Sequence, residues 1–141
     1  MPKLTAEFVD RHEIRFDVER GEGAHRTFTN VRAPAEDGQG PVDFTSVDLL
    51  LIAVGNCTLG YLLNNGALAD AEVTRAVASV EATMQEFPRQ VGHIHSTVEI
   101  EVTDPALLER REEIEIGACG GPMCAALGDL LSATVTLSLK S

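Results

Sequence analysis

The most restrictive feature of the chain is an apolar stretch from Leu49 to Leu63, interrupted only by Asn56, Cys57, Thr58 and two glycines. It is preceded by Thr45-Ser46-Val47-Asp48, which has the form of a capping box: the Thr45 hydroxyl accepts from a free amide and Asp48 reaches back. Val47, Leu50, Val54, Cys57 and Tyr61 then fall at alternating three- and four-residue steps, and Leu51, Thr58 and Leu62 widen the stripe. Most of the helix circumference is therefore apolar. Asn64-Asn65-Gly66 tolerates a left-handed terminal conformation and predicts the end. The stretch falls short of the roughly 20 residues of a bilayer span, so the expected place for this helix is the centre of a protein.

The rest of the chain is organised around it. Lys3–Val9, Glu13–Val18 and His25–Val31 read as three strands of a meander, with Gly21 and Gly23 in the second gap. Ala33 to Asp43, rich in Pro and Gly, reads as an irregular loop. Ala76, Ala78, Val80, Ala82 and Met84 alternate along one strand that Pro88 closes. Ile94, Ser96, Val98, Ile100 and Val102 alternate along a second, and the two predict a hairpin. Asp104-Pro105 starts a helix running to about Ala118, in which Glu113-Ile114-Glu115-Ile116 also alternates like a strand. Gly120-Gly121-Pro122 breaks it, a short helix follows, and Ala133, Val135, Leu137 and Leu139 make the last strand. This segregated order predicts one α+β domain over residues 1–141, with a mostly antiparallel sheet.

Composition narrows the function. At 141 residues and 44% hydrophobic, the chain can form a core without disulfides or a structural metal. A formal net charge of −11 opposes phosphate backbones and anionic membrane surfaces, so neither nucleic acid nor membrane is an expected partner. Three cysteines, an odd number, fit a secreted disulfide framework poorly. The N-terminus, Met1 to Phe8, lacks the apolar run of a signal peptide, and a cytoplasmic protein with reduced thiols is the expectation.

Two cysteines carry a chemical argument. Cys57 lies mid-helix between Gly55 and Gly60, whose small size lets a substrate or another backbone approach. The competing reading is a buried cysteine acting as a small hydrophobe. Cys124 follows Gly121 and Pro122, placing its sulfur in the first turn of the short helix, where backbone amides favour thiolate. Packing against Met123 and Leu127 is the alternative. Cys119, five residues earlier, fits no Cys-x-x-Cys motif and reads as structural. His93 and His95 share one strand face without an evident third metal ligand and read as solvated. Phosphate-loop, dinucleotide, hydrolase-elbow and zinc-protease motifs are absent from the sequence.

The Glu36-Asp37-Gly38-Gln39-Gly40-Pro41 turn leading to Asp48-Leu49-Leu50 and on to Cys57 resembles the signature of the OsmC/Ohr family, the osmotically inducible and organic hydroperoxide resistance proteins. Cys124 with Leu130 six residues later is similar to the family's second cysteine landmark, and Phe87-Pro88-Arg89 to its central hairpin. The resemblance implies an OsmC-like fold: an intertwined homodimer in which each buried central helix bears a cysteine. It further implies Cys57 as peroxidatic thiolate, Cys124 as the resolving thiol that forms a Cys57–Cys124 disulfide, an external dithiol reductant, and no metal or flavin cofactor.

In an acidic protein a thiolate in an apolar pocket needs a local cation. The family's peroxidases take an arginine from the N-terminal strands, for which Arg15 is the best match, with Arg11 and Arg20 as alternatives. They also carry a glutamate ten residues before the cysteine. Val47 stands there and Asp48 one position later, a placement similar to the family's less characterised branch, although Asp48 also serves the capping box. The substrate implied is a small organic hydroperoxide. Two other functions fit the same residues: a non-catalytic module for an apolar ligand, and a redox sensor.

Overall fold

The computed structural model describes residues 3–19, 21, 23, 25–32 and 42–141, in which the periodicities of the sequence become six strands and three α-helices. They fall into two compact units, Met1–Asp48 and Leu49–Ser141.

The first unit is an antiparallel meander of β1 (Lys3–Asp10), β2 (Glu13–Glu19) and β3 (His25–Val31). Its register pairs Ala6 with Phe16 and Phe16 with Phe28, so the apolar members of the alternation share one face. The Phe16 and Phe28 rings stack there with centroids 5.1 Å apart. Glu7, Arg15, Asp17 and Thr27 share the opposite face. Asn30 is buried and grips Phe44 at both backbone groups: its Nδ2 donates to the Phe44 carbonyl (2.9 Å) and its Oδ1 accepts from the Phe44 N–H (3.0 Å). That clamp fixes the chain just before the long helix, and residues 33–41 of the expected loop lie outside the described residues.

The helix, α1 (Ser46–Asn64), starts and stops where the sequence predicts. Thr45 Oγ1 accepts from the Asp48 N–H (3.1 Å) and Thr45 N–H donates to Asp48 Oδ2 (3.0 Å), the reciprocal pair of a capping box. At the other end Asn64 Nδ2 donates to the Gly60 carbonyl and Asn65 Nδ2 to that of Tyr61, and Gly66 takes φ +66°.

In the second unit β4 (Val73–Gln85) and β5 (Gln90–Val102) form the expected antiparallel hairpin, and β6 (Leu131–Leu139) joins β5 in parallel. The sheet is therefore mixed, and it is separate from the meander rather than continuous with it. Parallel pairing needs a long crossover, supplied by residues 103–130 with α2 (Arg111–Gly117) and α3 (Pro122–Leu127). The helix expected from Pro105 is divided. Asp104 caps a 3-10 turn, accepting from the Ala106 N–H (2.9 Å), and α2 begins only at Arg111. Ile114 is 3% exposed and Ile116 77%, as helical spacing requires and a strand, with both on one face, does not allow.

Val54, Thr58 and Leu62 form the buried stripe of α1, four residues apart. Leu62 joins Val98, Ile100, Val135 and Ile114 in the larger core cluster, and Val54 joins Ile94 and Leu131 in a second. Each such side chain stabilises the fold by about 1.5–3 kcal/mol relative to exposure. Within the second unit the sheet covers one side of α1, and Ile52 is 50% exposed. By length and composition alone α1 also suits a bilayer, so it is the packing of Val54, Thr58 and Leu62 on protein, rather than shortness, that argues for a core helix.

Ser96 lies within this core, fully buried, with its Oγ lacking a hydrogen-bond partner among the described residues. A buried hydroxyl without a partner costs about 1–3 kcal/mol. Ser96→Ala is therefore expected to stabilise the protein by ~1 kcal/mol in urea unfolding, and a loss of stability would contradict this assignment.

Candidate functional site

Cys57 is a free thiol on α1, half-buried, and next in sequence to the buried Thr58. Its position is set by a close approach of backbone. Gly121 lies so near that a Cβ there would stand 2.8 Å from Cys57 Sγ and 3.4 Å from Tyr61 Cβ. A Cβ on Gly120 would come within 3.0 Å of Tyr61 Cζ. At φ −84° Gly121 has a backbone any residue accepts, so lack of space, not conformation, is what requires glycine. A Cβ on Gly55 would meet Val80 Cγ2 at 3.4 Å, an ordinary contact, and one on Gly60 would meet nothing within 4 Å. Neither glycine flanking Cys57 is thus required by space. The close approach to the cysteine comes from Gly120-Gly121, which the sequence marked chiefly as a helix break.

Gly121 is the N-cap of α3, Pro122 its first residue and Cys124 its third, as predicted. The bonding partner of Cys124 is different. Cys119 and Cys124 form a disulfide, with Cα atoms 5.3 Å apart, while Cys57 remains reduced. Cys119, expected to be structural, is thus the bonding partner of Cys124, and the expected Cys57–Cys124 bond is not the one present. The reason is the Gly120-Gly121-Pro122 break: it reverses the chain between the end of α2 and α3, so a spacing of five residues falls within the usual 4.4–6.8 Å range of bonded Cα atoms. The cysteines differ in access. Cys119 is exposed, whereas Cys124 is half-buried and packs on the Val54, Ile94 and Leu131 cluster.

The other expected residues fall as follows. Asp48 is engaged at the helix cap through Oδ2. Arg15 belongs to the first unit, where its guanidinium pairs with its cross-strand partner Glu7. Arg11 lies in the β1–β2 turn, and Arg20 is outside the described residues. His93 and His95 are part-buried rather than solvated. His93 Nε2 and His95 Nδ1 lie 2.8 and 2.6 Å from Ser132 Oγ, and His95 Nε2 lies 3.1 Å from Thr134 Oγ1. These bonds tie β5 to β6, and no group of three metal-ligating side chains occurs among the described residues.

Beside Arg15 on the polar face of the meander, His25 Nδ1 lies 3.0 Å from Asp17 Oδ1, which also accepts from Thr27 Oγ1 (2.9 Å). The hydrogen bond and charge of Asp17 raise the His25 pKa above the ordinary imidazole range. Hydrogen bonds from His25 and then Thr27 lower that of Asp17. The His25 contribution to stability is complete below the ordinary imidazole pKa and lost as pH rises through the raised value. The Asp17 contribution is complete above the ordinary carboxylate pKa and lost as pH falls through the lowered one. The pair is therefore strongest between those limits.

The sequence matches no protein-family model and no curated protein. Its structure, however, is similar over nearly all of its length to solved structures that include OsmC-like and organic hydroperoxide resistance proteins. An OsmC-like protein from Mycoplasma pneumoniae matches with a TM-score of 0.70 at 14% identity, covering 100% of this chain and 98% of that one. The fold is that of the OsmC and Ohr proteins. The organic hydroperoxide resistance protein OhrB of Bacillus subtilis matches with a TM-score of 0.55 at 20% identity, covering 99% and 98% of the two chains. An organic hydroperoxide resistance protein OsmC from Legionella pneumophila gives 0.57 at 14% identity, covering 100% and 97%. The α+β, OsmC-like fold expected of the single chain is thus present.

Two outcomes follow from this geometry. Gly121→Ala places a methyl group against Cys57 Sγ and is expected to cost about 1–3 kcal/mol. Adding Cys57→Ala should recover part of that loss in a double-mutant cycle, and strict additivity would contradict the contact. By NMR titration His25 should show a raised pKa that Asp17→Asn returns to the ordinary range. An unshifted His25 would contradict the pairing.

Proposed function

We propose that this protein belongs to the OsmC/Ohr family and is a thiol-dependent peroxidase for small organic hydroperoxides. The observation that carries the reading is the free, half-buried Cys57 thiol on α1, seated against the Gly121 turn that leads into Cys124. The names of the Bacillus subtilis and Legionella pneumophila proteins of the same fold support it.

In this reading the Cys57 thiolate attacks the peroxide. The O–O bond breaks, the alkoxide leaves and takes a proton to become the alcohol, and Cys57 is left as sulfenic acid. The Cys124 thiol, once reduced, condenses with it to a disulfide with loss of water, and an external dithiol returns both sulfurs to thiols. No resident metal or organic cofactor is required by these steps. Arg15 is proposed as the cation that favours the thiolate. Asp48 is assigned to holding the start of α1.

A homodimer accompanies this reading. Ile52 on α1 and Leu4, Phe8 and Phe28 on the meander's apolar face are exposed at 46% or more, and a second copy of the chain is the proposed cover. The protein is proposed to act in the cytoplasm, where dithiol reductants are maintained.

With cumene hydroperoxide and a dithiol, the protein is expected to accelerate peroxide loss well beyond the dithiol alone, and Cys57→Ser to return it to that background. Wild-type protein that is no faster than background would contradict the reading. Analytical ultracentrifugation should give twice the mass of the chain; a monomer would contradict the proposed cover.

A further inference from the structure

We propose that Cys119 is a third redox residue, which takes the resolving disulfide away from Cys57 and presents it at the surface. The inference rests on the peroxidase reading and adds a relay to it. Three observations carry it. The bond present is Cys119–Cys124, not Cys57–Cys124, and Cys57 is a free thiol. Cys57 Sγ lies against Gly121, between the two bonded cysteines in sequence. Cys119 is exposed, whereas Cys57 and Cys124 are half-buried.

The steps balance. The Cys57 thiolate gives two electrons to the hydroperoxide, yielding alcohol and Cys57 sulfenic acid. The Cys124 thiol displaces water to form Cys57–Cys124. The Cys119 thiolate then attacks Cys124 Sγ, forming Cys119–Cys124 and expelling Cys57 as thiolate. Finally an external dithiol attacks the exposed Cys119–Cys124 bond, becomes a disulfide itself and restores both thiols. The net reaction converts hydroperoxide and dithiol to alcohol, water and oxidised dithiol. The structure has the bonding expected after the third step: the pair oxidised and the attacking thiol regenerated.

A purely structural bridge is the competing explanation. In the chain-entropy picture the restraint on the unfolded chain grows with loop length, and a bond between residues five apart stands at the weak end of that scale. The relay instead accounts for the seating of the Cys57 thiol against Gly121, inside the loop that the bond closes, and for the exposure of Cys119.

The test uses fully reduced protein freed of reductant, titrated with cumene hydroperoxide in the presence of dimedone, with disulfides mapped by mass spectrometry. Wild type should consume about two equivalents, the first ending in Cys119–Cys124 and the second in a dimedone adduct on Cys57. Cys119→Ser should consume about one and stop at Cys57–Cys124. In Cys57→Ser, Cys119–Cys124 should form far more slowly than in wild type. If wild type consumes peroxide but stops at Cys57–Cys124 with Cys119 alkylatable, the relay is wrong and the peroxidase reading stands. Formation of Cys119–Cys124 in Cys57→Ser at the wild-type rate would also overturn the relay. Absence of peroxide consumption by wild type would overturn the peroxidase reading and the relay together.

Discussion

The packing of Val54, Thr58 and Leu62 on the β4–β5–β6 sheet is the interaction on which the candidate site depends. It fixes the rotation of α1 about its own axis, and with it the direction in which Cys57, one residue before Thr58, presents its sulfur. The same sheet carries the crossover that ends in α3, because β6 must return parallel to β5. The Gly120-Gly121 turn therefore meets α1 beside Cys57 and Tyr61. Small residues at the turn are the condition for that meeting, since a methyl group on Gly121 would occupy space held by the thiol.

Charge sets the second constraint. With a formal net charge of −11, the molecule as a whole disfavours another anion, and a reactive thiolate depends on a local cation rather than on the field of the protein. Arg15 is tied to Glu7, in the register that β1 and β2 impose. The meander thus holds its arginine in an ion pair of modest strength, since exposed pairs of this kind contribute only about 0–1 kcal/mol.

Much of the fold was legible because period two and period 3.6 are strongly written in this chain. The meander, the β4–β5 hairpin and both ends of α1 follow from alternation, the capping box and the terminal Asn-Asn-Gly. What escaped were features decided by tertiary context. Whether β6 joins β5 in parallel depends on how the crossover returns, and strand alternation is the same in either direction. The stripe of α1 is wider in sequence than the face one sheet can cover, so apolar residues such as Ile52 remain exposed. Ile114 and Ile116 alternate like a strand, and only the side on which α2 packs separates them. The candidate cysteines were found by local pattern, but their pairing was not. Cys119 lies outside every short-spacing motif, and its approach to Cys124 requires knowing that Gly120-Gly121-Pro122 turns the chain back on itself.

The central claim is that Cys57 is the reactive thiol, and it is tested most directly with the Cys119–Cys124 bond left intact. Protein in this state, exposed to less than one equivalent of cumene hydroperoxide with dimedone present, is digested and mapped by mass spectrometry. The account predicts a dimedone adduct on Cys57, the sulfenic acid caught before it can be resolved. Cys57 recovered wholly unmodified, while the hydroperoxide persists, would contradict it.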